Sequence, residues 1–148
     1  MKIIAHRGNT LGPNPEHENK LEYLKEALNL GFDIEVDVWN VNGQIFLGHD
    51  EPCYLLNDGN FGFLEDDRVW VHLKNVECYE IFKNKNHCNF FYHQNDQMTL
   101  TSKKFGWMFP KIGYFPNSIF VMPELFPEIN SSNSTFYGIC TDFPQRKF

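Results

Sequence analysis

Long apolar runs are missing from this 148-residue chain, and no stretch approaches the roughly 20 residues that cross a bilayer as a helix. The first apolar run, Ile3 to Ala5, stops at His6-Arg7-Gly8, far short of the roughly 7–15 apolar residues of a signal peptide. A cytoplasmic protein without stable membrane insertion is therefore expected. Basic blocks are missing too. The net charge is −6 and no cluster exceeds the pair Lys103-Lys104, so the electrostatic footprint that nucleic acid demands is absent, although a pocket for one phosphate remains open. Cysteine is sparse: Cys53, Cys78, Cys88 and Cys140 form no Cys-x-x-Cys pair, which argues against a zinc knuckle or redox motif and for free or buried thiols. No internal repeat and no low-complexity tract interrupts the chain.

What is present is apolar surface. A hydrophobic fraction of 42% with 15 phenylalanines can offset the ordering entropy of folding, and the length fits one domain over residues 1–148. Lys2 to Ala5 reads as a buried strand that ends in the Gly- and Pro-rich loop Asn9 to Pro15. Leu21, Leu24, Ala27, Leu28 and Leu30 recur with helical spacing, so a helix is expected from Asn19 to Leu30 with Gly31 closing it. Asp33 to Val38 alternates strictly, as a strand does, and Asn42-Gly43 signals a hairpin returning through Ile45 to Leu47. Further strands are expected at Val69 to Leu73, Asn89 to Tyr92, Trp107 to Phe109, Ile119 to Met122 and Tyr137 to Cys140, with a short helix from Val76 to Phe82. Lys111 to Asn117 and Pro127 to Thr135 read as loops. Strand, helix, strand, with polar residues gathered after strand ends, is the pattern of a parallel α/β sheet or barrel.

The alternation of the second strand sets Asp33, Glu35 and Asp37 on one face, successive members about 7 Å apart. If that face is buried, the carboxylates need a divalent metal or an arginine; if it is an edge face, water suffices. His6 and His49 each close a strand-like run beside a charged residue, Arg7 or Asp50, and imidazole titrates near neutrality, which suits general acid–base work. Arg7 offers a planar fork for phosphate oxygens and Lys74 a point charge, though each also fits plain surface solvation.

The runs AHRG (Ala5 to Gly8), HENK (His17 to Lys20), GFDIEVDV (Gly31 to Val38) and GHDEP (Gly48 to Pro52) stand in the order and at separations that resemble the glycerophosphodiester phosphodiesterase family. That family reads His-Arg-Gly, Pro-Glu-Asn-Thr, Gly-Ala-Asp-x-Glu-x-Asp-Val and then His-Asp, and the tail GICTDFP (Gly138 to Pro144) resembles its closing strand and turn. The resemblance implies an α/β fold of the TIM-type (β/α) barrel class, here pared down with shortened or missing outer helices, and a site at the C-terminal ends of the strands. It implies His6 and His49 as the catalytic pair, Glu35 and Asp37 as metal ligands, Arg7 on the phosphate, and Glu18 at the site entrance. The implied partner is a small-molecule phosphodiester of glycerol type.

The departures matter. His17 and Lys20 replace the family's proline and threonine, and the third-strand Glu-x-Lys becomes His72 and Lys74. The lysine for substrate stays, and the carboxylate ligand does not. His72 alternates in phase with Lys74, so it can enter the same cavity as Glu35 and Asp37 and ligate manganese, zinc or a similar ion in preference to calcium, or else be a plain core histidine. Glu124, or Asp96 near His93, can replace the lost carboxylate, and Glu124 is favoured. Trp107 lines the pocket or fills the core. The cofactor expected is a divalent metal ion, with manganese, zinc, magnesium and calcium all open. Missing outer helices would expose apolar strand faces, for which a homo-oligomer would provide cover. Hydrolysis of a glycerol-type phosphodiester is the expected activity, with a phosphate-ester binding module that has lost turnover as its rival.

Overall fold

The second strand is the hub of the fold. The computed structural model describes residues 1–110, 115–127 and 135–147. In chain order the elements are β1 (Lys2–Ala5), α1 (Leu21–Asn29), β2 (Asp33–Val41), β3 (Gln44–Leu47), β4 (Tyr54–Leu56), β5 (Val69–Leu73), α2 (Cys78–Phe82), β6 (Asn89–Tyr92), β7 (Met98–Leu100), β8 (Gly106–Met108), β9 (Ser118–Val121) and β10 (Gly138–Thr141). Short 3-10 turns occupy His6–Gly8, Asp58–Glu65 and Pro123–Leu125. The loops expected at Lys111 to Asn117 and Pro127 to Thr135 fall largely outside the described residues.

Local chemistry explains the boundaries. α1 ends where Gly31 takes φ 93°, with Gly31 N–H donating to Leu28 and Phe32 N–H to Ala27, the two bonds of a Schellman cap. Asn42 and Gly43 take φ 53° and 85°, the pair of positive values that a two-residue hairpin between twisted strands requires. β2 then pairs with β3 antiparallel through Val38↔Leu47, and with β5 parallel through Ile34↔Val69 to Val38↔Leu73 on its opposite edge.

Seven strands run parallel in the order β6-β5-β2-β1-β10-β9-β8, and β3, β4 and β7 are antiparallel additions. The sheet is curled. Phe91 and Trp107, on strands at opposite ends of the parallel run, stack at 4.4 Å. With Ile4, Trp70, Ile119, Val121 and Cys140 they form the cluster that fills the concave side. On the convex side α1 lays Leu24, Ala27 and Leu28 over Ala5, Ile34 and Val36, each leucine so buried contributing roughly 1.5–3 kcal/mol.

The expected TIM-type barrel is corrected by this arrangement. The sheet is mixed and open, β6 and β8 share no ladder, and the only α-helices among the described residues are α1 and α2. The cause is chain length: β8 and β9 are joined by Phe109 to Asn117, less than the dozen or so residues of a usual crossover. The convex face of the remaining strands is covered locally instead, by Phe120, Phe136 and Ile139 packed with Ile3 and Phe126. No helix among the described residues is long and apolar enough to cross a membrane. All four cysteines are free thiols, three of them buried.

Candidate active site

Continuing the inward alternation toward the strands' C-terminal ends brings a polar layer over the aromatic floor. A cleft of about 520 Å³ opens there, with His6, Arg7, Glu35, Asp37, His72 and Lys74 on the β1-β2-β5 side. Glu35 and Asp37 are buried at 2% and 0% exposure, so the solvated-edge alternative for this face does not apply. Asp33, one layer deeper, is occupied structurally: its carboxylate accepts from Lys2 Nζ at 3.0 Å and Trp70 Nε1 at 3.1 Å.

Arg7 sits at the turn after β1 with φ 53°, a left-handed conformation held by its surroundings. Its backbone N–H donates to Glu35 Oε2 at 3.2 Å and its Nη1 to Glu18 Oε2 at 3.1 Å, while Nε lies 3.4 Å from Asp37 Oδ2. Asn19, just before α1, holds Asp37 from both ends: Nδ2 donates to Oδ2 and Oδ1 accepts the Asp37 backbone N–H, both at 2.9 Å. Burial alone would raise the Asp37 pKa, but His72, Lys74 and Arg7 hold it below the usual carboxylate range.

His72 stacks on Phe91 at 4.9 Å and its Nε2 donates to the His93 carbonyl at 2.8 Å, which fixes the ring and turns Nδ1 toward the carboxylates. Nδ1 lies 3.0 Å from Asp37 Oδ1 and 3.5 Å from Glu35 Oε1. Burial would lower the His72 pKa, yet contact with Asp37 and Glu35 raises it to about 9. Asp37 Oδ1, with His72 and Lys74 as its charged neighbours, is a buried acceptor without a hydrogen-bond partner of good geometry.

These three donors fit a divalent ion. Two ligand atoms each about 2.1 Å from a metal, at octahedral or tetrahedral angles, lie about 3.0–3.4 Å apart. The His72–Asp37 separation falls in that range and the His72–Glu35 separation lies just beyond it, and Glu35, Asp37 and His72 form the cluster of metal-capable groups found among the described residues. Glu124, favoured from sequence as the replacement ligand, is a correction. Its carboxylate accepts from Thr141 Oγ1 and from the Asp142 backbone N–H, both at 2.9 Å, and so is spent on the turn after β10. The residue that stands beside Glu35 and Asp37 is His72.

His6 is half-buried beside Asp142, with Nδ1 and Oδ1 2.8 Å apart, and Asn9 Nδ2 donates to the same oxygen at 2.8 Å. Burial would lower the His6 pKa, but the Asp142 bond and the Glu35 charge hold it above the usual value; Asp142 itself lies below its usual value. His49 stands at the half-exposed rim with Nδ1 2.7 Å from Asp50 Oδ1. Its loop depends on Gly48, φ 149°, where a Cβ would collide with the Glu51 carbonyl. Lys74 Nζ approaches Asp37 Oδ1 at 3.6 Å.

Comparisons with family models, with curated proteins and with solved structures returned no match. The structure brings His6, Arg7, Glu35, Asp37, His49, His72 and Lys74 to one cleft, and Trp107 both lines it and stacks in its floor. Asp142 and Asn19 were not foreseen as site residues. For Asp142 the signal was an acid just past a strand end, the placement that marked His6 and His49; Asn19 had only its place in the HENK run.

Proposed function

We infer that this protein is a metal-dependent phosphodiesterase acting on a diester of the glycerol type. The supporting observation is the Glu35-Asp37-His72 donor cluster, with its orphaned Asp37 oxygen, in one cleft with two histidines that each carry a carboxylate partner. A structural ion pair would need neither the second histidine nor the open volume above it.

Arg7 and Lys74 draw the diester's single negative charge into the cleft and orient its oxygens. Glu35, Asp37 and His72 would hold the divalent ion, which when bound neutralises charge building on the phosphate. His6, kept protonated by Asp142, donates its proton to the leaving alcohol oxygen as the P–O bond breaks. His49 takes the proton from the attacking oxygen as the new P–O bond forms. With a neighbouring glycerol hydroxyl as attacker the first product is a cyclic phosphate, which water opens to the monoester.

The test is turnover of bis(p-nitrophenyl) phosphate and glycerophosphocholine by protein stripped with EDTA and resupplied with manganese, zinc, magnesium or calcium. Activity should return with one or more ions, and His6→Asn and Glu35→Gln should each lose it while remaining folded. Turnover that survives both substitutions sinks the mechanism. One observation favours a second reading, a phosphate-ester binding module. With a pKa of about 9, His72 as an imidazolium already supplies a positive charge between the two carboxylates. Phosphate-ester binding without turnover under any ion, across a wider substrate panel, would select it.

A further inference from the structure

The cleft has two chemically different walls. Opposite the charged side stand Phe109, Val121, Met122 and Leu125, from β8, β9 and the turns that follow them, with Trp107 at their base. Beneath the cleft His72 stacks on Phe91 at 4.9 Å and Phe91 on Trp107 at 4.4 Å, a row of rings that braces one wall against the other, with Trp107 alone of the two apolar rings lining the cleft. Met122 is held at φ 53°, a conformation that is costly for a residue without glycine's freedom, at the point where the chain turns to present this wall. Leu125 is 57% exposed at the rim, although a polar residue there would cost the fold nothing visible.

We propose that the cleft takes phosphodiesters in which one alcohol is a short alkyl or aryl group, laid on the Trp107, Phe109, Val121 and Leu125 wall while Arg7 and Lys74 hold the phosphate. The proposal rests on the phosphodiester reading for the placing of the phosphate, and it adds the class of the second arm. At about 520 Å³ the cleft is of small-ligand size, within the roughly 300–1,000 Å³ of such sites, so the arm is short.

The test is calorimetric binding of O-alkyl methylphosphonates, inert monoanionic mimics of the diester, with methyl, butyl and hexyl arms. Each methylene buried on the wall should tighten Kd about threefold to fourfold, so the five added from methyl to hexyl should tighten it roughly 200-fold to 1,000-fold if all are buried. Leu125→Asn, a neutral change at an exposed position, should weaken the hexyl member several-fold more than the methyl member, and Leu125→Met should restore the difference. Equal affinities along the series, equal loss for both members in Leu125→Asn, or no binding of any member overturns the proposal. Turnover of the corresponding diesters separates the two readings. Chain-length dependence without turnover sinks hydrolysis and keeps the apolar arm; turnover with equal affinities keeps hydrolysis and sinks the arm.

Discussion

Asn19 offers the sharpest test of how this site is held together. Its side chain is 1% exposed and makes two hydrogen bonds to Asp37, one to the carboxylate and one from the backbone N–H, while its own backbone lies at φ 64°. In Asn19→Ala the Asp37 N–H is left buried without a partner, about 1–3 kcal/mol, and a bond to a charged group is lost, about 1.5–3 kcal/mol. A left-handed alanine adds about 1–2 kcal/mol. Because these contributions overlap, the expected loss is about 3–5 kcal/mol. Asn19→Gly loses the same bonds without the backbone penalty, so it should be about 1 kcal/mol more stable than the alanine variant. Urea unfolding at neutral pH in EDTA measures both, read as midpoint shifts at constant m-value. An alanine variant within about 1 kcal/mol of wild type, or a glycine variant less stable than alanine, would refute the claim that Asn19 clamps Asp37.

Other outcomes follow from the same geometry. His72 has a folded pKa raised from 6.5 to about 9, so its contribution to metal-free stability is fully present below about pH 6.5 and is lost as pH rises through about 9. The upper bound is about 3 kcal/mol and is shared with Asp37; urea midpoints at pH 6 and pH 9.5 in EDTA should differ in wild type and differ less in His72→Gln, where His6 alone of the pair still contributes. Glu124→Ala should cost about 1–3 kcal/mol by orphaning the Asp142 N–H, yet leave manganese affinity unchanged in a calorimetric titration. In Asp142→Asn the support for protonated His6 is withdrawn, so the acidic group in the kcat/KM profile should titrate at lower pH than in wild type. If the convex face is fully covered by Phe120, Phe136 and Ile139, sedimentation should show a monomer; a tight dimer would mean another face pairs.

Much of the fold was readable where a local rule was strong. The alternation of β2, the Asn42-Gly43 hairpin and the Gly31 cap all rest on interactions within a few residues, and each appears as expected. β4 and β7, three residues each, are too short to show alternation and went unread. The barrel expectation failed because strand spacing does not say whether the two end strands share a ladder, and here a Phe91–Trp107 ring stack joins them instead. At the site, phase along the strands was enough to bring His72 beside Glu35 and Asp37. Glu124 misled because position after a strand does not show direction, and its neighbours Thr141 and Asp142 are close in space, not in sequence. Asp142 lies 136 residues from the histidine it supports, a pairing no local pattern reveals.

The most direct test of the metal-site claim is an anomalous-difference map from crystals grown with manganese. One ion about 2.2 Å from Glu35, Asp37 and His72 Nδ1 is the predicted result. A map with no ion at that cluster would contradict the account.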